Sequence, residues 1–272
     1  MGTIQAYEAN LENRLAELRQ GDDAYKMHLH SIQEVVAYAH NLHSGTNETR
    51  ILDCGCGLGF ASAWLNHLGL DVVGIDPSEK SISLAKQEHP NIPFHQASAE
   101  SFPDMMPELG LEPFDQAILN MVLHSVDDSS VLNILRGVRK SLRPEGAIHL
   151  LVPTQEWLVQ KLQEYAEDEE MEESDRTTWI LEMLKKKELR LPVKIRGGEY
   201  YPEPLVLYNR TIDDYGRMLE AAGFGVRINY YYEGKNEPYQ TIVPYLLPDD
   251  ELVNYDLAYR QRKILVSFTL AE

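Results

Sequence analysis

Residues 51–60 read Ile51-Leu52-Asp53-Cys54-Gly55-Cys56-Gly57-Leu58-Gly59-Phe60. An apolar pair and an aspartate lead into glycines at alternate positions, and Ala61 to Leu68 then carries helical periodicity. The order is a buried strand, a tight loop and a helix. Alternate glycines let the backbone turn sharply and let a ligand lie against the main chain, where a Cβ would collide. The helix start behind the loop adds oriented N–H groups. A dinucleotide fingerprint begun at Gly55 needs glycine or alanine at position 60, where Phe60 stands; begun at Gly57 it meets Ser62. A nicotinamide-dependent oxidoreductase is therefore the weaker reading.

The next apolar run, Asp71-Val72-Val73-Gly74-Ile75-Asp76, ends in a carboxylate able to accept both hydroxyls of a ribose. Asp53 at the loop entrance suits a cation better than a pyrophosphate. The combination D-x-G-x-G-x-G with an acidic strand end resembles the class I S-adenosylmethionine (SAM)-dependent methyltransferases, over roughly residues 48–153 and 208–272. The weaker matches Phe114-Asp115, Leu119 to His124, Leu142 to Gly146 and Met218 to Phe224 resemble later motifs of that family. The resemblance implies a Rossmann-like α/β sheet with helices on both faces, and SAM as cofactor with S-adenosylhomocysteine (SAH) as product. It also implies cofactor contacts from Asp53, Gly55, Cys56, Gly57, Gly59, Asp76, Pro77, Ser98, Ala99, Glu100 and Asn120, with Tyr25 closing over the ligand. Ser98 departs from the family, which often has an acidic residue there for the adenine amino group. The Ala99 N–H is the alternative contact, and Glu100 also reads as a helix-start residue.

Further outward the alternation continues. Strands are expected at Pro93–Gln96, Phe114–Leu119 and Ala147–Val152, the last after an Arg143-Pro144-Glu145-Gly146 turn, with helices at Glu79–Gln87 and Val131–Leu142. Strands alternating with helices mean crossover units and a parallel sheet. Leu11, Leu15, Leu18 and then Ile32, Val35, Val36, Ala39, Leu42 recur at helical spacing, so two helices are expected between Tyr7 and His43. Thr154 to Lys187 reads as helical, Pro192 to Pro204 as loop, Thr211 to Ala222 as a helix closed by Gly223. Val226–Glu233 and Lys263–Leu270 are expected to complete the sheet. The organisation is an N-terminal helical lid (1–47), an α/β core (48–153), a helical cap inserted after strand five (154–207) and the remainder of the core (208–272). Eight acidic residues in the twelve from Glu164 to Asp175 read as a solvated face.

Methyl transfer from a sulfonium asks for in-line positioning, exclusion of water and, for some acceptors, removal of a proton. His124, just past the fourth strand, is the candidate base; it also reads as a packing or helix-start residue. The family usually draws acceptor specificity from N-terminal helices and an insertion after strand five, which makes Trp157, Tyr200, Tyr201 and Tyr208 candidate substrate contacts. Composition narrows the partners. With 25 basic against 43 acidic residues the net charge is −18, unfavourable for nucleic acid, and Lys185-Lys186-Lys187 is the longest basic cluster. No apolar run reaches the 18 or so residues of a membrane span. Cys54 and Cys56, one residue apart, suit neither a four-ligand metal site nor an unstrained mutual disulfide, and no metal is expected. The opening MGTIQAYEANLENRLAELRQ lacks a basic-then-apolar layout, so a cytoplasmic location is expected. The expected activity is SAM-dependent methylation of an O or N atom of a small molecule. The alternatives are a protein or RNA methyltransferase and a non-catalytic SAM-binding regulator; acceptor identity and oligomeric state stay open.

Overall fold

A computed structural model describes residues 8, 11, 15–16, 49–153, 155–192, 204–225, 227–231 and 263–269, the last two segments as backbone only. The expected strands and helices follow one another as β1 (Arg50–Cys54), α1 (Phe60–His67), β2 (Asp71–Asp76), α2 (Glu79–Glu88), β3 (Phe94–Gln96), α3 (Phe102–Met105) and β4 (Phe114–Asn120). After a short 3-10 turn at Leu123–Ser125 come α4 (Asp128–Ser141), β5 (Leu142–Pro153), α5 (Gln155–Asp168), α6 (Glu173–Leu184), β6 (Glu188–Leu191), β7 (Leu205–Tyr208), α7 (Ile212–Ala221), β8 (Arg227–Tyr231) and β9 (Lys263–Thr269).

The main sheet runs β3-β2-β1-β4-β5-β9-β8. Its first five strands are parallel, and β9 pairs antiparallel with both β5 and β8. Alternate residues feed two apolar layers, which is why β1, β2 and β4 read as continuous hydrophobic runs rather than as a period of two. Leu52, Val73, Ala117 and Leu119 face one side, with Val131, Leu135 and Val138 of α4 and Tyr215 and Leu219 of α7. Ile51, Val72 and Ile118 face the other, with Ala61 and Leu65 of α1.

Local signals account for the helix starts. Asp127 caps α4, its carboxylate accepting from the Ser130 N–H at 3.0 Å. Thr211 and Asp214 form a reciprocal capping box at the start of α7, and Gly223 ends that region with φ +91°.

Two expectations change. The Arg143–Gly146 segment is not a turn ahead of β5 but an irregularity within it: Phe114 pairs with Leu142 and Gln116 already with Ala147, while Arg143 donates to Asp115 at 2.6 Å. The hydrogen bonds of β4 on both sides of the irregularity keep the strand going, and this is a tertiary effect. The cap is not only helical, because β6 and β7 form a separate antiparallel pair. Leu189, Leu191 and Leu207 of that pair share a small core with Leu158, Leu162 and Ile180. The acidic run falls on the exposed connection from α5 to α6, where Glu170 takes φ +53°.

Candidate functional site

Because β1 to β4 are parallel, the chain leaves all four at the same edge, and strand order reverses between β1 and β4. In open α/β sheets such a reversal opens a crevice at the carboxyl ends. The glycine loop follows β1 there. Gly55, Gly57 and Gly59 have φ of +78°, +54° and +79°, a region costly for residues with a Cβ. A Cβ on Gly55 would lie 2.5 Å from Val122 Cγ2, and one on Gly59 2.7 Å from Phe94 Cζ, so two of the glycines also admit neighbouring parts of the protein.

Four of the loop's N–H groups are committed internally. Those of Gly55 and Cys56 donate to the Ile75 carbonyl at 2.8 and 3.0 Å, that of Gly59 to the Cys56 carbonyl at 2.9 Å, and that of Gly57 to Asp76 Oδ2 at 3.0 Å. Asp53 accepts from the Ser62 hydroxyl at 2.5 Å and from the Ser62 backbone N–H, so a carboxylate of the protein already occupies the amino end of α1. A pyrophosphate would have to displace it against like charge. One donor of this helix end, the Ser62 N–H, is thus used within the protein.

Asp76 is 8% exposed and uses one oxygen for Gly57 and the other for the Ser78 N–H at 2.9 Å. Each oxygen keeps a further lone pair, so the residue can shape the loop and still accept hydroxyls. Burial raises the pKa of Asp76, and nearby Glu8 adds to the rise. Burial likewise raises Asp53 to about 7, opposed by its Ser62 bonds and reinforced slightly by Asp76. Among the described residues neither carboxylate has a basic ion-pair partner. The electrostatics favour a cation.

Asn120 closes β4 at the same edge. The residue is 7% exposed, and among the described residues neither Oδ1 nor Nδ2 has a hydrogen-bond partner. A buried amide with both ends unmet costs stability unless a ligand or water meets it. The turn after β3 joins the site through the Ala97 N–H, which donates to the Asp76 carbonyl at 3.1 Å. Ser98 there bonds Ser101 and starts the following turn, Ala99 is buried, and Ser98, Glu100 and Pro77 are exposed. Cys56 lies within the loop; burial pushes both its thiol and that of Cys54 up, which disfavours thiolate chemistry. Glu8 accepts from the Ser78 hydroxyl at 2.6 Å, and Leu11 and Leu15 pack on Leu58 of the loop.

A small cleft, partly open to solvent, lies elsewhere, lined by His124, Pro153, Gln155, Trp157, Leu158, Leu207, Tyr208, Asn209 and Arg210. It brings together three of the predicted residues, His124, Trp157 and Tyr208. Tyr25, Tyr200 and Tyr201 lie outside the described residues. Tyr165 and Trp179 stack on each other at 5.6 Å, and Trp179 packs against the cap core. Sequence reasoning missed Arg210, which is 5% exposed, and Asn209, whose amide bonds the Leu184 carbonyl. Their only local signal is polarity immediately after an apolar strand.

Known proteins agree with this arrangement. Residues 51–146 match the family model described as a methyltransferase domain. An uncharacterised methyltransferase of Synechocystis is 32% identical over 102 residues, 38% of this chain and 46% of that protein. A ubiquinone biosynthesis O-methyltransferase of Rhizobium etli is 31% identical over 166 residues, 59% and 64% of the two chains. This chain thus spans about half the length of the first relative and less than two thirds of the second. Among solved structures, the PH0226 protein of Pyrococcus horikoshii superposes with a TM-score of 0.57 at 15% identity, covering 92% of each chain. DhpI, solved as its SAH complex, superposes at 0.54 with 15% identity, covering 99% of this chain and 98% of its own. At these identities the superpositions speak for the fold. Sheet order, glycine loop and sequence match agree: residues 51–146 match a methyltransferase domain, and the fold is the Rossmann-like fold of SAM-dependent methyltransferases.

Proposed function

We propose that this protein transfers a methyl group from SAM to an O or N atom of a small-molecule acceptor. The observation that carries the cofactor assignment is the glycine loop in which the Gly55, Cys56, Gly57 and Gly59 N–H groups bond the protein itself, next to two buried carboxylates. Such a loop disfavours a pyrophosphate and favours a phosphate-free, cationic adenosyl ligand. When bound, SAM supplies an electrophilic methyl on a sulfonium, which needs little further activation. The protein's part is to hold and enclose it. Asp76 accepts ribose hydroxyls with its remaining lone pairs. The ionised form of Asp53 biases the site toward positive charge. Asn120 offers one donor and one acceptor, and the turn at Ser98 to Glu100 borders the base.

The acceptor reading rests on the cleft that holds His124. Its Trp157, Leu158, Leu207 and Tyr208 walls suit a flat or apolar group, and an imidazole among them supports His124 as the base for a hydroxyl or protonated amine. The lid role of residues 1–47 is supported by Glu8, Leu11 and Leu15, which lie against Ser78 and the glycine loop. An acceptor of metabolite size suits a net charge of −18 better than a nucleic acid does.

Thermal unfolding with SAM, SAH or NADH at about 100 times a plausible dissociation constant tests the cofactor. Saturation at that excess stabilises by about 2.7 kcal/mol, a shift of several degrees. A shift with the adenosyl-sulfur ligands alone is expected; a shift with NADH alone overturns the assignment. Incubation with labelled SAM and fractionated extract then separates small acceptors from protein or RNA.

A further inference from the structure

The lining of the cleft includes a buried cation that is held by the protein itself. Arg210 stands between β7 and α7, and its side chain is 2% exposed. Its Nη1 donates to the Leu123 carbonyl at 2.7 Å, and its Nη2 to the Val126 carbonyl at 2.6 Å. Nε and Nη2 both reach Asp128 Oδ1, at 2.9 and 2.8 Å. Leu123 and Val126 flank His124 and Ser125, so a single guanidinium ties down both ends of the turn that carries His124. The same group lies over the Tyr208 ring, 4.9 Å from its centroid. Tyr208 and His124 both line the cleft.

We propose that Arg210 is the positioning residue of the acceptor cleft, setting the placement of the His124 turn relative to the Tyr208 wall. The inference rests on the reading of this cleft as the acceptor site. Three observations carry it. A structural ion pair would need Asp128 alone, whereas two backbone carbonyls use the planar fork that a lysine cannot reproduce. The turn is entered through Met121 at φ +57°, an uncommon conformation for a residue with a side chain, which persists where the surroundings impose it. The Met121 N–H is held by the Leu151 carbonyl at 2.8 Å, so β5 fixes the start of this stretch and Arg210 fixes its end. Arg210 is also where cap and core meet. Asn209 beside it bonds Leu184, Lys187 and Gln155 of the cap, and Lys187 pairs with Asp128. A cap movement is therefore transmitted to His124 through two adjacent residues.

The test is a histidine side-chain 1H–15N spectrum of the labelled full chain, without ligand and with saturating SAH, in which His124→Gln identifies the His124 cross-peaks. Arg210→Lys, which keeps the charge and loses the fork, is expected to move or split those cross-peaks. SAH affinity should change by less than about threefold, because the adenosyl site makes no use of the guanidinium. Arg217→Gln, which removes an exposed pair on α7, should leave them in place. Should Arg210→Lys fail to fold, Asp128→Asn loosens the same guanidinium from its other side and must displace the same peaks. Unmoved His124 signals in either folded variant overturn the proposal. Failure of the wild type to bind SAH would overturn the proposed function instead, and the ligand-free spectra would still decide the role of Arg210.

Discussion

Asp53 and Asp76 are alike in composition and different in environment, and the difference predicts their behaviour. Asp53 is buried on the amino end of α1 and titrates near 7. A positively charged ligand favours its ionised form, so binding below that pH must release a proton. SAM affinity, measured by calorimetry, is expected to weaken by up to about tenfold for each pH unit below 7. Asp53→Asn should flatten the dependence, and a pH-independent wild type would remove Asp53 from the binding equilibrium. Asp76 holds the glycine loop at the Gly57 N–H with one oxygen and the Ser78 N–H with the other. Asp76→Ala is expected to cost about 1–3 kcal/mol of SAH binding, as lost charge-assisted hydrogen bonds. Both residues were legible in the sequence, since a carboxylate ending each of two strands around a glycine loop is a local pattern. The internal use of the loop's N–H groups was not, because it depends on where Ile75 and Asp76 of the neighbouring strand stand.

Between elements, one glycine has a part that no motif announces. Gly137 lies on the buried face of α4, and a Cβ there would come 2.0 Å from the Ala99 carbonyl oxygen and 2.6 Å from its carbon. The opposing atoms are backbone, so the helix or the turn after β3 must move. Gly137→Ala would raise helix propensity in isolation. Here it is expected to destabilise by roughly 1–3 kcal/mol in urea unfolding through overpacking, and to weaken SAH binding by displacing the Ser98–Glu100 turn. Stabilisation of the variant would show that α4 and the turn have room to part. The alternation of strand and helix was readable from periodicity alone. The β6–β7 pair was not: four-residue strands in the cap carry little signal, and they owe their existence to burying Leu189, Leu191 and Leu207 against α5 and α6.

Over the whole molecule, a buried histidine makes stability depend on pH far from the site. His149 of β5 is fully buried beside Gln116 of β4, at 2.8 Å between Nε2 and Oε1, and burial lowers its pKa to about 3. The unfolded chain binds its proton near 6.5, so the contribution is complete above that pH and is lost as pH falls toward 3. The full swing is roughly 5 kcal/mol. The stability difference between wild type and His149→Leu, measured by urea unfolding from pH 4 to 8, should therefore rise with pH and level off above about 6.5. A flat difference would show that His149 is not held neutral by the sheet. Asp53 works in the opposite direction, since its raised pKa makes the native state lose stability as pH climbs from about 4 to 7 until a cationic ligand compensates. The sequence by itself determined the α/β class, the glycine loop, the two acidic strand ends and an insertion after strand five, because each is written in residues adjacent along the chain. The tertiary structure alone decided which loop N–H groups remain for a ligand, that Asn120 is buried with its amide unmet, and that Arg210 joins His124 to the cap. These follow from packing between segments up to 87 residues apart, and no local pattern encodes such distances.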